Sequence, residues 1–325
     1  MRINPEEIRL QPADPPRHFT AIAALISSQE TEPSTQRSLT EWYSKQLDDG
    51  ILFTVAIDHN DQVLGFNGIY RDNLNLERHF GLYLIVDPSF RCQGLGSLLY
   101  NDLLEHAAGY KARTLQVRLR DTCMEGLSFA KQRGFVEKYH TIEMMFDLAA
   151  WDEASYMGIT QSLLAEGFLF TNMAELGDNR ANRRRLFALN NNAAATDPGS
   201  NGVPPWATFE EFEKDVCNSY WYHPDSQIVA IDTHTNDWAA MSAITVFEGA
   251  DHAYNLFTGT DVRYRGRKLA QAVKSLALRK AREYGVRSVR TSHSSENAAM
   301  IAIDTKLGYV RTPGTLVMVK ELEND

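Results

Sequence analysis

Apolar positions along the chain change their spacing several times, and each change marks an element. After a polar arm to about Pro16, apolar residues fall at helical intervals around Thr20 to Ser28 and again near Leu39 to Leu47. The runs ILFTVAID at 51–58 and QVLGFNGIY at 62–70 are separated by His59, Asn60 and Asp61, which predicts a β-hairpin. HFGLYLIVD at 79–87 is apolar without alternation, as expected of a central strand covered on both faces. Leu95, Leu98, Leu99 and Leu103 then recur at helical spacing and predict a helix that packs one face and stops at Gly109. Leu115, Val117 and Leu119 alternate as in a strand; a short helix ending at Arg133, the Gly134-Phe135 step and MMFDL close this half.

A linking segment from Ala149 to about Thr171 carries Leu163, Leu164 and Phe168 at spacing compatible with a helix. A helix near Arg180 to Leu189 follows, then a loop NNAAATDPGSNGVPPW rich in Gly, Pro and Asn. Thr208 and Glu211 fit a capping box, IVAID at 228–232 and WAAMSAITVFE at 238–248 predict a second hairpin, and YNLFTGTDV predicts a second central strand. Leu269, Ala272, Val273, Leu276 and Ala281 mark the core face of the next helix.

The second half thus repeats the first, and the repeat keeps one register. Arg91, Leu95, Ala107, Tyr110, Arg113 and Gly134 recur as Arg265, Leu269, Ala281, Tyr284, Arg287 and Gly308; 265 − 91 = 174 and 308 − 134 = 174. An interval of that length is the size of one domain. The expected organisation is two tandem domains, 1–150 and 151–325 with the linker helix at its start. Their expected class is α/β (α+β), each domain a mixed, mostly antiparallel central sheet flanked by helices.

Composition narrows the function. The chain is 43% hydrophobic and 23% charged, with net charge −9, an ordinary globular balance that argues against nucleic-acid binding, which needs clustered Lys and Arg. Arg183, Arg184 and Arg185 read as a solvated helix face. The absence of a run of roughly 20 apolar residues argues against a membrane span, and MRINPEEIRL lacks the layout of a signal peptide, so a cytoplasmic protein is expected. Cys92, Cys123 and Cys217 are scattered, which predicts free thiols and no metal.

In each half a central strand runs into a basic turn that opens a helix: RCQGLGS at 91–97 and RGRKLAQ at 265–271. Small residues let backbone approach a ligand, and helix-start amides bind anions. Arg91, Gly94 and Gly96 resemble the coenzyme A signature of the GNAT N-acetyltransferase superfamily, and the second half is similar to tandem bacterial members with a mycothiol-synthase-like architecture. The resemblance implies an acetyl-CoA cosubstrate held by Ile85, Val86, Arg91, Cys92, Gln93, Gly94, Leu95, Gly96 and Ser97, and by Thr260, Arg265, Gly266, Arg267, Lys268, Leu269 and Ala270. It also places Asn297 at a cofactor-contacting position, where the first half has Cys123. Lys268 replaces the central glycine of the second turn, and Ala130 and Asp304 stand where the family often carries an acidic tyrosine. Glu77 and His252, near the starts of the two central strands with His79, are the candidate proton-accepting residues, and His suits proton abstraction near neutrality.

The implied activity is transfer of an acetyl group from acetyl-CoA to a primary amine, small-molecule or peptide, by direct attack. The alternative is a non-catalytic acyl-CoA-binding or sensor protein. Trp206, Tyr220, Trp221 and Tyr222 read either as an acceptor-pocket wall or as core packing, and Asp197 and Asp304 as amine binders or solvated carboxylates. The assembly is open between a monomer and a homodimer, with no metal, nucleic acid or membrane as partner.

Overall fold

Side-chain alternation on the hairpin strands sorts the first core onto two faces. A computed structural model describes residues 8–47, 50–71, 77–198, 200 and 202–322. The first half runs β1 (Arg9–Pro12), α1 (Pro15–Ser27), α2 (Gln36–Gln46), β2 (Leu52–Ile57), β3 (Val63–Arg71), β4 (His79–Val86), α3 (Leu95–Gly109), β5 (Thr114–Arg120), α4 (Met124–Gln132) and β6 (Val136–Asp147). Phe53, Val55 and Ile57 on β2 pack under Phe19, Ile22 and Ile26 of α1 and Leu39 of α2, while Ala56 and Leu64 meet Leu95 and Leu99 of α3. Each leucine so buried contributes about 1.5–3 kcal/mol. Leu98, expected on the packed face, is 40% exposed.

The second half runs α5 (Ala154–Ala165), β7 (Phe168–Asn172), α6 (Arg180–Ala195), α7 (Phe209–Phe212), β8 (Gln227–Asp232), β9 (Trp238–Thr245), β10 (Ala253–Thr260), α8 (Leu269–Glu283), β11 (Ser288–Ser294), α9 (Ala298–Leu307) and β12 (Val310–Glu321). Thr208 and Glu211 form the capping box at α7, and Asn179 and Asn297 cap α6 and α9 by accepting from Asn182 N and Met300 N.

The chain divides into two compact units, 1–140 with 315–325, and 141–314. In the first unit the strand order is β1-β2-β3-β4-β5 and then Thr315–Glu321 of β12, antiparallel except for the parallel pair β4/β5. In the second it is β7-β8-β9-β10-β11 and then Thr141–Asp147 of β6, antiparallel except for β10/β11. The topologies are the same, and in each unit the strand beyond the parallel pair comes from the other half of the sequence. The division therefore differs from the expected 1–150 and 151–325. The strand after α4 pairs with Ser288–Ser294, and the last strand of the chain pairs with Thr114–Arg120.

Three local readings are corrected. The polar arm contains β1, which pairs with β2. Phe168 belongs to strand β7 and not to the linking helix, because Gly167, with φ +89, ends the helical turn before it. The segment read as a loop after Leu189 stays helical to Ala195. Its Asn-Ala run buries Asn190, Asn191 and Ala193, and the Asn191 amide bonds the Trp206 backbone at both ends, at 2.7 and 3.2 Å. Trp206, Trp221 and Tyr222 pack in the core with Phe212 and Met241, which selects the packing reading for those three. Among the described residues, no helix is long and apolar enough to cross a membrane.

Candidate functional site

Parallel strands β4 and β5 begin paired and then separate. Their register runs from His79 opposite Thr114 to Leu82 opposite Val117 and stops there, although β4 continues to Val86 and β5 to Arg120. The gap is a cavity of about 480 Å³ walled by Leu82–Val86, Val117–Arg120, the end of α1, the turn before α3, and α4. Beyond Leu82 the β4 edge facing β5 has lost its strand partner, so its backbone polar groups border the cavity.

The turn is built by local rules. Asp87 accepts from Ser89 N at 2.8 Å and fixes the exit from β4. Cys92, with φ +59, and Gly94, with φ +89, are left-handed, a region that favours glycine. Gly94 is the N-cap residue of α3, and a Cβ there would have nothing within 4 Å. A Cβ on Gly96 would lie 3.3 Å from the Phe129 ring. The Ser97 and Leu98 amides turn back to Gly94 O. The amides ahead of them are the ones a helix start offers to an anion.

Cations surround this helix start. Arg91 donates to Val86 O at 3.2 Å and faces Glu125 at 3.4 Å. Arg133 donates to Ser97 Oγ at 2.8 Å while its guanidinium carbon sits 3.4 Å from the Phe129 ring centre. In all, Arg91, Arg118, Arg120 and Arg133 line the cavity against Glu30 and Glu125. A net-negative chain thus concentrates positive charge in one cleft, which attracts anionic ligands.

Tyr100, on α3, also lines the cavity and is 7% exposed. Lys320 Nζ of β12 donates to its hydroxyl oxygen at 3.1 Å. A phenol that accepts from an ammonium keeps its own proton to donate. Cys123 is in the lining, and Gln29 and Glu30 close the cavity from the end of α1. Arg120 bonds Thr31 Oγ1 at 2.5 Å, tying the β5 end to the residue after Glu30.

Of the first-half residues expected at the coenzyme, Ile85, Val86, Arg91, Cys92, Gly94, Gly96 and Ser97 line the cavity. Gln93 and Leu95 are outside the lining: Gln93 donates to Ser89 O at 3.3 Å, and Leu95 is 1% exposed in the core beneath the turn. Glu77 is exposed at the start of β4, 3.7 Å from Arg78, at the end of the strand opposite the turn. His79 is buried at the same end.

In the second unit the turn keeps its left-handed geometry at Gly266, φ +79, and at Lys268, φ +66, and its arginines, like Arg91 and Arg133 of the first, bond to residues of their own unit. Arg265 bonds Thr196 Oγ1 and approaches Thr260 O at 3.5 Å. Arg267 pairs with Glu166 at 2.8 Å and stacks on Phe168 at 4.5 Å. Leu269 is 1% exposed in the core, as Leu95 is. Ala270, half-buried, follows it in the first turn of α8. The buried Asn297 amide donates to Asp197 Oδ2 at 2.7 Å while its Oδ1 caps α9. Asp304, 0% exposed, pairs with Lys274 and bonds His293 at 2.5 Å, so it is no solvated carboxylate. His252 is buried at the start of β10, with Nδ1 3.0 Å from the exposed Asp251.

Arg133, Tyr100 and Glu30 line the cavity, and Lys320 bonds Tyr100, without having been singled out in the sequence. Tyr100 and Lys320 are 220 residues apart, and only the exchanged strand brings them together. Among the described residues no cluster of three His, Cys, Asp or Glu side chains is arranged to hold a metal ion.

Residues 19–135 match the acetyltransferase (GNAT) family model. No curated protein matches the sequence. Among solved structures, the chain is similar to a GCN5-related N-acetyltransferase from Sphaerobacter thermophilus, with TM-score 0.70 and 18% identity, covering 98% of this chain and 97% of that one. It is also similar to a tandem GNAT protein from the clavulanic acid biosynthesis pathway, at 0.73 and 15%, covering 98% and 100%. A glucosamine N-acetyltransferase region of a fungal multi-domain beta-N-acetylglucosaminidase matches at 0.70 and 14%, covering 96% of this chain and 38% of that one. At these identities the likeness is one of fold.

Proposed function

We propose, for a chain whose residues 19–135 match the acetyltransferase (GNAT) family model, that the first unit transfers an acetyl group from acetyl-CoA to a primary amine by direct attack. The observation that carries this reading is the cavity at the β4/β5 separation: a helix start, a left-handed glycine with open space beside it, and a surplus of arginine. These fit a pyrophosphate. A helix dipole contributes only about 0.3–1 kcal/mol per charge, so Arg91, Arg133 and the amides ahead of Ser97 supply most of the hold.

Bound there, acetyl-CoA supplies an acyl group activated as a thioester. The residues of the cavity do the rest. The β4 backbone beyond Leu82 offers an N–H to the acyl oxygen, where a fixed donor is worth most in a water-poor cleft. Tyr100, with Lys320 on its oxygen, directs its proton toward the departing sulfur. Glu30, beside Gln29 just after α1, receives the ammonium form of the amine and takes one of its protons, and the neutral nitrogen so formed attacks the thioester carbon. This assignment places the proton-accepting role at Glu30 in preference to Glu77, and leaves His252 outside the first cavity's chemistry.

Thiol release from acetyl-CoA, followed across a panel of small-molecule and peptide amines, tests the proposal. Amine-dependent release with stoichiometric N-acetyl product is expected. Tight coenzyme binding with no transfer to any amine would instead support a sensor.

A further inference from the structure

The second unit repeats the strand separation of the first but furnishes it differently. β10 and β11 pair only at Ala253 opposite Val289 and Tyr254 opposite Arg290. Two side-chain bonds then stitch the strands together, Tyr254 Oη to Ser292 Oγ at 2.8 Å and Thr291 Oγ1 to Asn255 O at 3.1 Å. The repeat interval identifies what else stands there: 274 − 174 = 100, 293 − 174 = 119, 304 − 174 = 130 and 309 − 174 = 135. Tyr100, Leu119, Ala130 and Phe135 all line the first cavity. Their counterparts Lys274, His293, Asp304 and Tyr309 are about as little exposed as Tyr100, Ala130 and Phe135, but charged groups replace the neutral side chains of the first cavity and are held to one another. Lys274 pairs with Asp304, His293 bonds the other oxygen of that carboxylate at 2.5 Å, and the Lys274 ammonium sits 5.3 Å from the Tyr309 ring centre.

We propose that the slot of the second unit corresponding to the coenzyme cavity is closed from within by the Lys274–Asp304–His293 cluster, so that the chain takes up acyl-CoA in the first unit alone. The inference rests on the reading of the first cavity as an acyl-CoA site. Opening the slot would separate a buried ion pair and leave each charge without its partner, which proteins resist strongly. Burial pulls the Lys274 ammonium below its ordinary range, although Asp304 pushes it back, the signature of a cation cut off from water. The amide of Asn297, the counterpart of cavity-lining Cys123, is likewise taken up within the unit by Asp197. The strand that carries Lys320 in the first unit is supplied by the second half of the sequence.

The full-length protein tests this directly. Amine-reactive labelling is read residue by residue by mass spectrometry, with exposed Lys306 as internal reference, and CoA is counted per chain by native mass spectrometry. Expected is labelling of Lys274 at least ten-fold slower than of Lys306, unchanged by saturating CoA, together with one CoA per chain. Labelling of Lys274 at the Lys306 rate, or two CoA per chain, overturns the proposal. A protected Lys274 with no CoA bound upholds the closed slot and defeats the acyl-CoA reading of the first cavity.

Discussion

Lys320 Nζ lies 3.1 Å from the Tyr100 hydroxyl, and the two residues reach each other because the last strand of the chain is laid against β5 of the first unit. The last strand thus sets a charge on the hydroxyl of a cavity-lining tyrosine. Tyr100→Phe is expected to lower turnover about 10²-fold, the lower end for general acid catalysis, while acetyl-CoA affinity stays within two-fold. Lys320→Met should move turnover in the same direction by less. Equal loss of kcat/KM and of coenzyme affinity in Tyr100→Phe would assign Tyr100 a packing role instead.

The exchanged strand also bears on stability. Val317 and Met318 are fully buried in the first unit, Met318 in the cluster with Leu82, Leu103 and Leu115. Met318→Ala should cost about 2–5 kcal/mol, and a 1–150 fragment, lacking 315–321, should fail to unfold cooperatively. A fragment with a sharp denaturant transition would show that β12 is dispensable.

Much of this architecture was legible in the sequence, because strong periodicity needs no tertiary help: α1, α3, α8, both hairpins and the two central strands lie where apolar spacing places them. The turn chemistry was equally local, since Gly94 and Gly96 are defined by what a backbone of that shape tolerates. Strand partnership was not legible. Nothing in the composition of Val136–Asp147 says that its partner is Ser288–Ser294, and without that pairing neither the unit boundary nor the meeting of Tyr100 with Lys320 can be foreseen. Asp304 was misread for a related reason: a lone carboxylate looks solvated until Lys274, 30 residues earlier on another helix, is seen beside it.

The thiols provide a graded probe. Burial pushes the Cys217 thiol up to about 12, so it should stay silent to thiol reagents at pH 8, where the thiolate is the reactive form. Cys92 is exposed and lines the cavity. Saturating CoA should slow its alkylation several-fold, as followed by peptide mass spectrometry. Unaltered Cys92 kinetics with CoA bound would place the coenzyme elsewhere.

Acid should unfold the second unit through Asp304. Burial raises its carboxyl, but the His293 bond and the Lys274 charge outweigh burial, and the net shift is downward. A depressed carboxyl contributes stability that is present above its unfolded value, about 3.9, and is lost as pH falls through the folded value. Asp304→Asn should cost about 3–5 kcal/mol at neutral pH, since Lys274 is left buried without its counter-ion, and should flatten the fall in stability below about pH 4. Denaturant titrations from neutral to acid pH read both effects, and a variant with the wild-type acid slope would assign that slope to other groups.

The most direct test is a calorimetric titration of CoA into the wild-type chain and into Gly94→Glu. The substitution puts a side chain of the wrong charge at the left-handed cap of α3, where a Cβ meets no neighbour within 4 Å, so the fold is expected to survive with a strain of about 1–3 kcal/mol. Binding by the wild type and its loss in the variant, with the thermal transition retained, is the expected result. Unchanged affinity and stoichiometry in Gly94→Glu would contradict the placement of the coenzyme in the first unit.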